Sequence, residues 1–275
     1  GEPLGERVGY QVRFERAGGE ATRLWFMTDG VFLRRFTRPG ALEGVSVVIF
    51  DELHERKLDL DAALALTLHA RRELGLNLRV IAMSATIDPT PLLTYLDHAE
   101  ALEVDARSHP VTLSHVPHQD KRPLDQRVAE AVMGARDDEG DLLVFLPGMN
   151  EIRRCARRLS ASPLARSHDV LMLHGGMPLF EQARAVAGPV GGTTPGVSTR
   201  RVILATNVAE TSLTIPGVTV VIDSGLARRA SDSPWTGLRH LDLTPISRAS
   251  AAQRAGRAGR VRPGRCLRLF TANDL

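Results

Sequence analysis

Val47-Val48-Ile49-Phe50 runs directly into Asp51-Glu52-Leu53-His54, and no other stretch limits so strongly what this chain can fold into. Such a short, apolar, largely β-branched run reads as a strand buried on both faces of a parallel sheet. Two carboxylates then emerge at its carboxyl end, the edge at which open α/β sheets place their ligands. A bare D-E-x-H string is a weak signal, because acidic pairs often merely begin a helix, where the dipole favours them. At a strand tip the same pair suits a divalent metal. One carboxylate holds Mg²⁺, usually through water, and the other polarises an attacking water.

The strand belongs to a rhythm. Segments 24–27, 78–83, 142–146, 170–173, 202–205 and 218–222 read as further strands, and 58–74, 124–136 and 151–159 as helices. Thr28 or Asp29 can cap a short helix that follows the first of these strands. Residues 226–247, with Pro234-Trp235-Thr236-Gly237 in the middle, read as a hairpin projecting from a sheet, and 188–199 as a Gly/Pro/Thr-rich surface loop. Alternation in both halves implies two doubly wound parallel-sheet α/β domains, 1–107 and 108–275, joined by a linker near residue 108.

At 275 residues the chain can bury two modest cores. The net charge is +3, and of 35 basic residues only Lys57 and Lys121 are lysines. Arginine forks suit phosphate, although a coding bias would give the same imbalance. Cys155 and Cys266 stand apart without metal spacing, no apolar run approaches membrane-spanning length and no signal peptide is visible. A reduced, cytoplasmic protein is expected.

The most specific string is Gln253-Arg254-Ala255-Gly256-Arg257-Ala258-Gly259-Arg260. On a helix, Gln253, Arg257 and Arg260 share one face at spacings of four and three. Glycine and alanine between them keep that face slim enough to approach a polyphosphate. A solvated basic helix end is the bland alternative. It does not explain Gly256 and Gly259, each of which weakens a helix by about 1 kcal/mol relative to alanine. Arginines supplied by one domain to a nucleotide held by another stabilise phosphoryl transfer, so the gap between the domains is the expected reaction site.

With these residues in view, the chain resembles the DEAH/RHA-type helicases. Asp51-Glu52-Leu53-His54-Glu55-Arg56, Met83-Ser84-Ala85-Thr86, 205–214 and 253–260 are similar to that family's motifs II, III, V and VI, with Leu53 replacing the usual alanine. Residues 223–228 and 246–253 look most like the bacterial HrpB branch. The resemblance covers nearly the whole chain in the right order.

It implies two RecA-like domains, the first truncated at its N-terminus, working as an ATP-dependent RNA helicase with ATP and Mg²⁺. Asp51 would hold Mg²⁺ and Glu52 the lytic water, while His54 would link the nucleotide to motif VI. Gln253 would position water, Thr211 would meet the nucleotide, and Arg257 and Arg260 would act as arginine fingers. Ser84 and Thr86 would couple hydrolysis to domain movement. Arg13, Thr28, Asp29, Gly148, Thr206 and Asn207 match positions that touch the nucleic-acid backbone. Such contacts carry no sequence information. The implied partner is single-stranded RNA read with low sequence specificity, with DNA as a second candidate, by a monomer that does not enter membranes. The 226–247 hairpin corresponds to the family's strand-separating hairpin.

The chain nowhere contains G-x-x-x-x-G-K-[ST], and neither lysine follows a glycine. The phosphate loop that the family places upstream is absent, so a fragment inactive by itself is expected, with a non-catalytic nucleic-acid-binding remnant as the alternative. An adenine-stacking aromatic is missing near Val186, and Pro216 stands where many relatives are acidic. His174 reads as a loop or packing residue. His109, His115 and His118 are clustered but lie across a linker and a strand, so no metal site is expected there, and the arginines of 151–159 read as a solvated face.

Overall fold

The computed structural model describes residues 2–38, 40–84, 90–96, 99–104, 109–187, 200–210, 213–232 and 239–274. Thr86, Thr211, Trp235, the linker 105–108 and the loop 188–199 lie outside the described residues. The chain divides into two compact units, Gly1–Val104 and Asp105–Leu275.

In the first unit β1 (Val8–Gln11) pairs with β2 (Arg16–Ala17) antiparallel and with β3 (Leu24–Met27) parallel. A short α1 (Asp29–Leu33) follows. Thr28 sits at its N-cap position, but its side chain makes no capping bond. Then come β4 (Val47–Phe50), α2 (Leu58–Glu73), β5 (Arg79–Ala82) and α3 (Thr90–Tyr95), with β4 and β5 paired in parallel. In α2, Leu60, Ala63, Leu64, Thr67 and Leu68 recur at spacings of three and four, forming the buried stripe of an amphipathic helix. That stripe joins Val48, Phe50, Leu53 and Leu78 in one core, with the Phe32 ring edge-on to Phe50. Asp59 and Asp61 in the first turn complement the helix dipole. Gly75, at φ +59°, turns the chain away after the last turn.

Here one expectation is corrected. The strand β4 is buried on one face only: Val48 and Phe50 are buried, whereas Val47 and Ile49 are 43% and 50% exposed. An apolar run does not distinguish two-sided from one-sided burial, since the pleat sends alternate side chains to opposite faces whatever covers them.

The second unit is built on β6 (Val111–His115), α4 (Leu124–Gly134), β7 (Asp141–Phe145), α5 (Met149–Ser160), β8 (His168–Leu173), α6 (Leu179–Ala187), β9 (Arg200–Ala205) and β10 (Val218–Asp223). A hairpin, β11 (Leu226–Asp232) and β12 (Arg239–Pro245), precedes α7 (Arg248–Gly256) and β13 (Gly264–Arg268). Six strands form one parallel sheet in the order β6-β13-β10-β7-β9-β8. Alternation now works on both faces. Leu142, Val144, Val202, Leu204, Val220 and Ile222 meet Val128 and Val132 of α4 and Ile152, Cys155 and Leu159 of α5. Leu143, Phe145, Ile203, Val221 and Cys266 meet Ala185 of α6 and Ala255 of α7. Burying each large aliphatic side chain contributes about 1.5–3 kcal/mol, so these two layers rather than local propensity hold the sheet.

The chain therefore leaves β7 toward one side of the sheet and β10 toward the other. Their carboxyl ends form the crevice at which a doubly wound sheet offers a site. No described helix is long and apolar enough to cross a membrane. Cys155 and Cys266 are buried, and burial pushes both thiols up to about 12. In the native protein both should therefore react with a thiol reagent on the order of a hundredfold slower than in urea, where the thiolate becomes accessible. Equal rates in a stopped-flow titration would contradict that.

Candidate functional site

In the first unit the acidic pair does sit at the tip of β4. The chain turns sharply there: Glu52 and Arg56 adopt left-handed backbone conformations at φ +54° and +51°. Two backbone bonds hold the turn against β5, Leu53 N to Met83 O at 3.0 Å and Met83 N to Phe50 O at 2.8 Å. Asp51 is exposed, with one carboxylate oxygen accepting the Glu52 amide at 2.8 Å. Glu52 Oε2 lies 3.2 Å from His54 Nε2, and the imidazole is almost wholly buried. The ring thus fixes where the Glu52 carboxylate points. Ser84 is exposed just beyond β5.

Asp29 lies 3.8 Å from Lys57 Nζ, which also bonds to Glu55. Burial works against the Lys57 ammonium, but the Glu55 hydrogen bond and the charges of Glu55, Asp29 and Glu52 outweigh it, and its pKa lies above that of an ordinary lysine. Thr28 and Arg13 are exposed, and the Arg13 guanidinium lies 5.0 Å from the Phe14 ring centre. Among the described residues no group of three or more His, Cys, Asp or Glu side chains could hold a metal. Two adjacent carboxylates do fit Mg²⁺, which is usually bound by one or two carboxylates with water and substrate phosphate completing its shell.

In the second unit the helix that carries the arginines tightens part-way along. The helix α7 ends at Gly256, and Arg257–Gly259 form a tighter 3₁₀ turn. Arg257 is 6% exposed and donates to the carbonyls of Leu213 and Glu210. Arg260 is exposed and donates to Thr214 Oγ1 at 2.7 Å. Both arginines therefore grip the loop after β9, while Gln253 is half-buried on α7.

The glycines also divide. A Cβ on Gly256 would meet nothing within 4 Å, whereas one on Gly259 would stand 2.5 Å from the His109 carbonyl oxygen and 2.8 Å from Val111. Gly259 is thus required by the close passage of the chain entering β6, not by a polyphosphate. Gly259→Ala should cost about 1–3 kcal/mol of stability, and Gly256→Ala should gain up to about 1 kcal/mol. Urea unfolding of both variants checks the contrast.

Among the proposed nucleic-acid contacts, Gly148 is the buried N-cap of α5. A Cβ there would meet Arg228 Nε at 2.8 Å and Glu151 Oε2 at 3.0 Å, so glycine makes room for the Arg228–Glu151 pair. Thr206 donates its amide to Leu173 O at 3.2 Å, and Asn207 is exposed at the start of a 3₁₀ turn. Gly148 and Thr206 thus follow the carboxyl ends of β7 and β9, neighbours in the sheet. His174 accepts the Gly176 amide at 3.1 Å, a loop role, and burial together with Arg153 lowers its pKa. Arg154 and Arg158 pair with Glu151 and Asp125, as expected of a solvated helix face.

One residue was missed. Arg254 is fully buried, with Nε 2.9 Å from Glu210 Oε2, Nη1 2.9 Å from Asp223 Oδ1 and the guanidinium 4.9 Å from the Phe145 ring centre. The signal was available: Ala251, Ala255 and Ala258 recur at four and three, and Arg254 falls within that apolar stripe.

Residues 125–262, half of the chain, match the family described as the helicase conserved C-terminal domain. The chain belongs to that helicase family. It is similar to the ATP-dependent RNA helicase HrpB of Escherichia coli (strain K12), with 41% identity over 98% of this chain and 32% of the relative. The crystal structure of the E. coli DExH-box NTPase HrpB matches with a TM-score of 0.83 and 39% identity, over 99% of this chain and 33% of that one. That of the Escherichia coli DEAH/RHA helicase HrpB matches with a TM-score of 0.86 and 40% identity, over 98% of this chain and 34% of that one. The chain spans about a third of the length of the relatives it matches.

Proposed function

We propose that this chain is part of the motor core of an ATP-dependent RNA helicase, with 1–107 supplying part of a first RecA-like domain and 108–275 the second. The likeness to HrpB over 98% of the chain carries this reading. The local geometry of each unit supports it.

Asp51 and Glu52 hold the Mg²⁺ that accompanies ATP, and Glu52, steadied by His54, orients the attacking water. When bound, the metal neutralises charge on the phosphates. Gln253 positions water, and Thr211 meets the nucleotide. Arg257 and Arg260 face the charge that develops as the phosphoryl group transfers. Ser84 and Thr86 couple hydrolysis to movement. Arg13, Thr28, Asp29, Gly148, Thr206 and Asn207 follow the backbone of single-stranded RNA, or of DNA, without reading bases. The protein acts as a monomer in the cytoplasm.

The test is ATP turnover by the full-length gene product with RNA, with DNA and with neither. RNA is expected to raise the rate well above the polymer-free value, and equal rates in all three would sink the reading. Residues 1–275 by themselves are expected to hydrolyse ATP negligibly. Within them no glycine-rich loop with its lysine is present to hold the β- and γ-phosphates. Robust RNA-stimulated turnover by purified 1–275 would refute that expectation.

A further inference from the structure

Three strings of the second unit converge on one guanidinium. Through Nε, Arg254 binds Glu210, at the end of the turn that begins at Thr206. Through Nη1 it binds Asp223, the last residue of β10, and the carbonyl of Leu226, the first residue of the hairpin, at 3.3 Å. Its Cζ lies 4.9 Å from the ring centre of Phe145, the last residue of β7. The side chain therefore fills the crevice between the carboxyl ends of β7 and β10.

Each anchor is itself tied onward. Glu210 accepts the Ser250 hydroxyl through its carboxylate and the Arg257 guanidinium through its backbone carbonyl. Asp223 Oδ1 accepts the Gly225 amide at 2.9 Å, and the Gly225 carbonyl in turn accepts Ile246 N at 3.0 Å where the hairpin closes. Asp223 is fully buried, and its Oδ2 has no hydrogen-bond partner among the described residues. A scaffold needing only rigidity gains little from such an incompletely satisfied ionic cluster, because apolar packing of the same volume holds a core as well or better. A planar fork does something apolar packing cannot: it fixes the relative register of the two carboxylates that it bridges.

We propose that Arg254 is a positioning residue that ties the base of the β11–β12 hairpin to the turn 206–210 and, through Glu210, to Arg257. Displacement of nucleic acid at the hairpin and ATP hydrolysis are thereby kept in step. The inference rests on the helicase reading above and extends it to a fully buried residue outside the roles assigned there.

Two measurements test it. In the wild-type full-length gene product, adding single-stranded RNA should slow amide hydrogen exchange at 207–210 and at 226–229 together. Slowing at only one segment would overturn the tie. In Arg254→Lys, which keeps the charge but loses the fork, the RNA-stimulated kcat and the strand separation achieved per ATP should fall about tenfold. KM for ATP should stay within about twofold, and the joint exchange response should be lost. An unchanged stimulated kcat would overturn the proposal. So would a uniform rise of exchange across the sheet with kcat and KM worsening alike, since that is how a simple brace behaves. If the wild type binds RNA but shows no RNA-stimulated turnover, the helicase reading fails, and the wild-type exchange experiment still decides whether the two segments move as one.

Discussion

Arg257→Ala is expected to lower RNA-stimulated ATP hydrolysis by the full-length gene product about 10³-fold, the scale of a lost arginine finger, while RNA affinity stays within about threefold. Arg257 is nearly buried and donates to the carbonyls of Glu210 and Leu213, which hold its guanidinium in a set direction. In the role proposed for Arg257, a donor held in advance of the reaction stabilises developing charge without reorganising at that moment. Alanine would also leave those two carbonyls without this donor, at a cost of about 1–3 kcal/mol each if they stay dry. The urea midpoint must therefore be measured beside the rate. Equal losses in turnover and RNA binding would mean that Arg257 serves binding instead.

Arg254→Ala should destabilise the protein by about 3–5 kcal/mol, the usual result of removing one partner from a buried ionic cluster. Asp223 is fully buried and Glu210 largely so, and both would lose their bridging cation. A cavity above Phe145 adds to the loss. Chemical denaturation followed by far-ultraviolet circular dichroism measures this directly. A shift below about 1 kcal/mol would show that water or a rearranged side chain replaces the guanidinium at little cost.

Much of the fold was legible because it rests on local rules. The run 47–50 became a strand with its carboxylates at the tip, the stripe of α2 followed helical spacing, and within 226–247 the strands Leu226–Asp232 and Arg239–Pro245 pair as a hairpin. What escaped was set by distant partners. The strand β13, Gly264-Arg265-Cys266-Leu267-Arg268, is polar by composition and gave no strand signal, yet it lies between β6 and β10 in the sheet. Its backbone ladder and the buried Cys266 hold it there. Gly259 carried the right residue for a reason that only the path of 109–111 supplies. Arg254 was hidden by its neighbours: in a string of three arginines, sequence spacing marks which ones share a face but not which face the core claims.

Glu52 keeps its left-handed backbone at φ +54°. A side chain longer than glycine in the left-handed region carries a penalty of about 1–2 kcal/mol, which glycine would avoid. At this corner the least strained residue and the one proposed to hold a cation differ, so a search for stabilising substitutions will be drawn to position 52 as well as to Arg56. A glycine installed there would give a sturdier protein stripped of its carboxylate. Under the helicase reading proposed above, thermal robustness and chemical competence are set against each other at this single peptide unit, and variants selected for heat tolerance alone should be checked for ATP turnover as well.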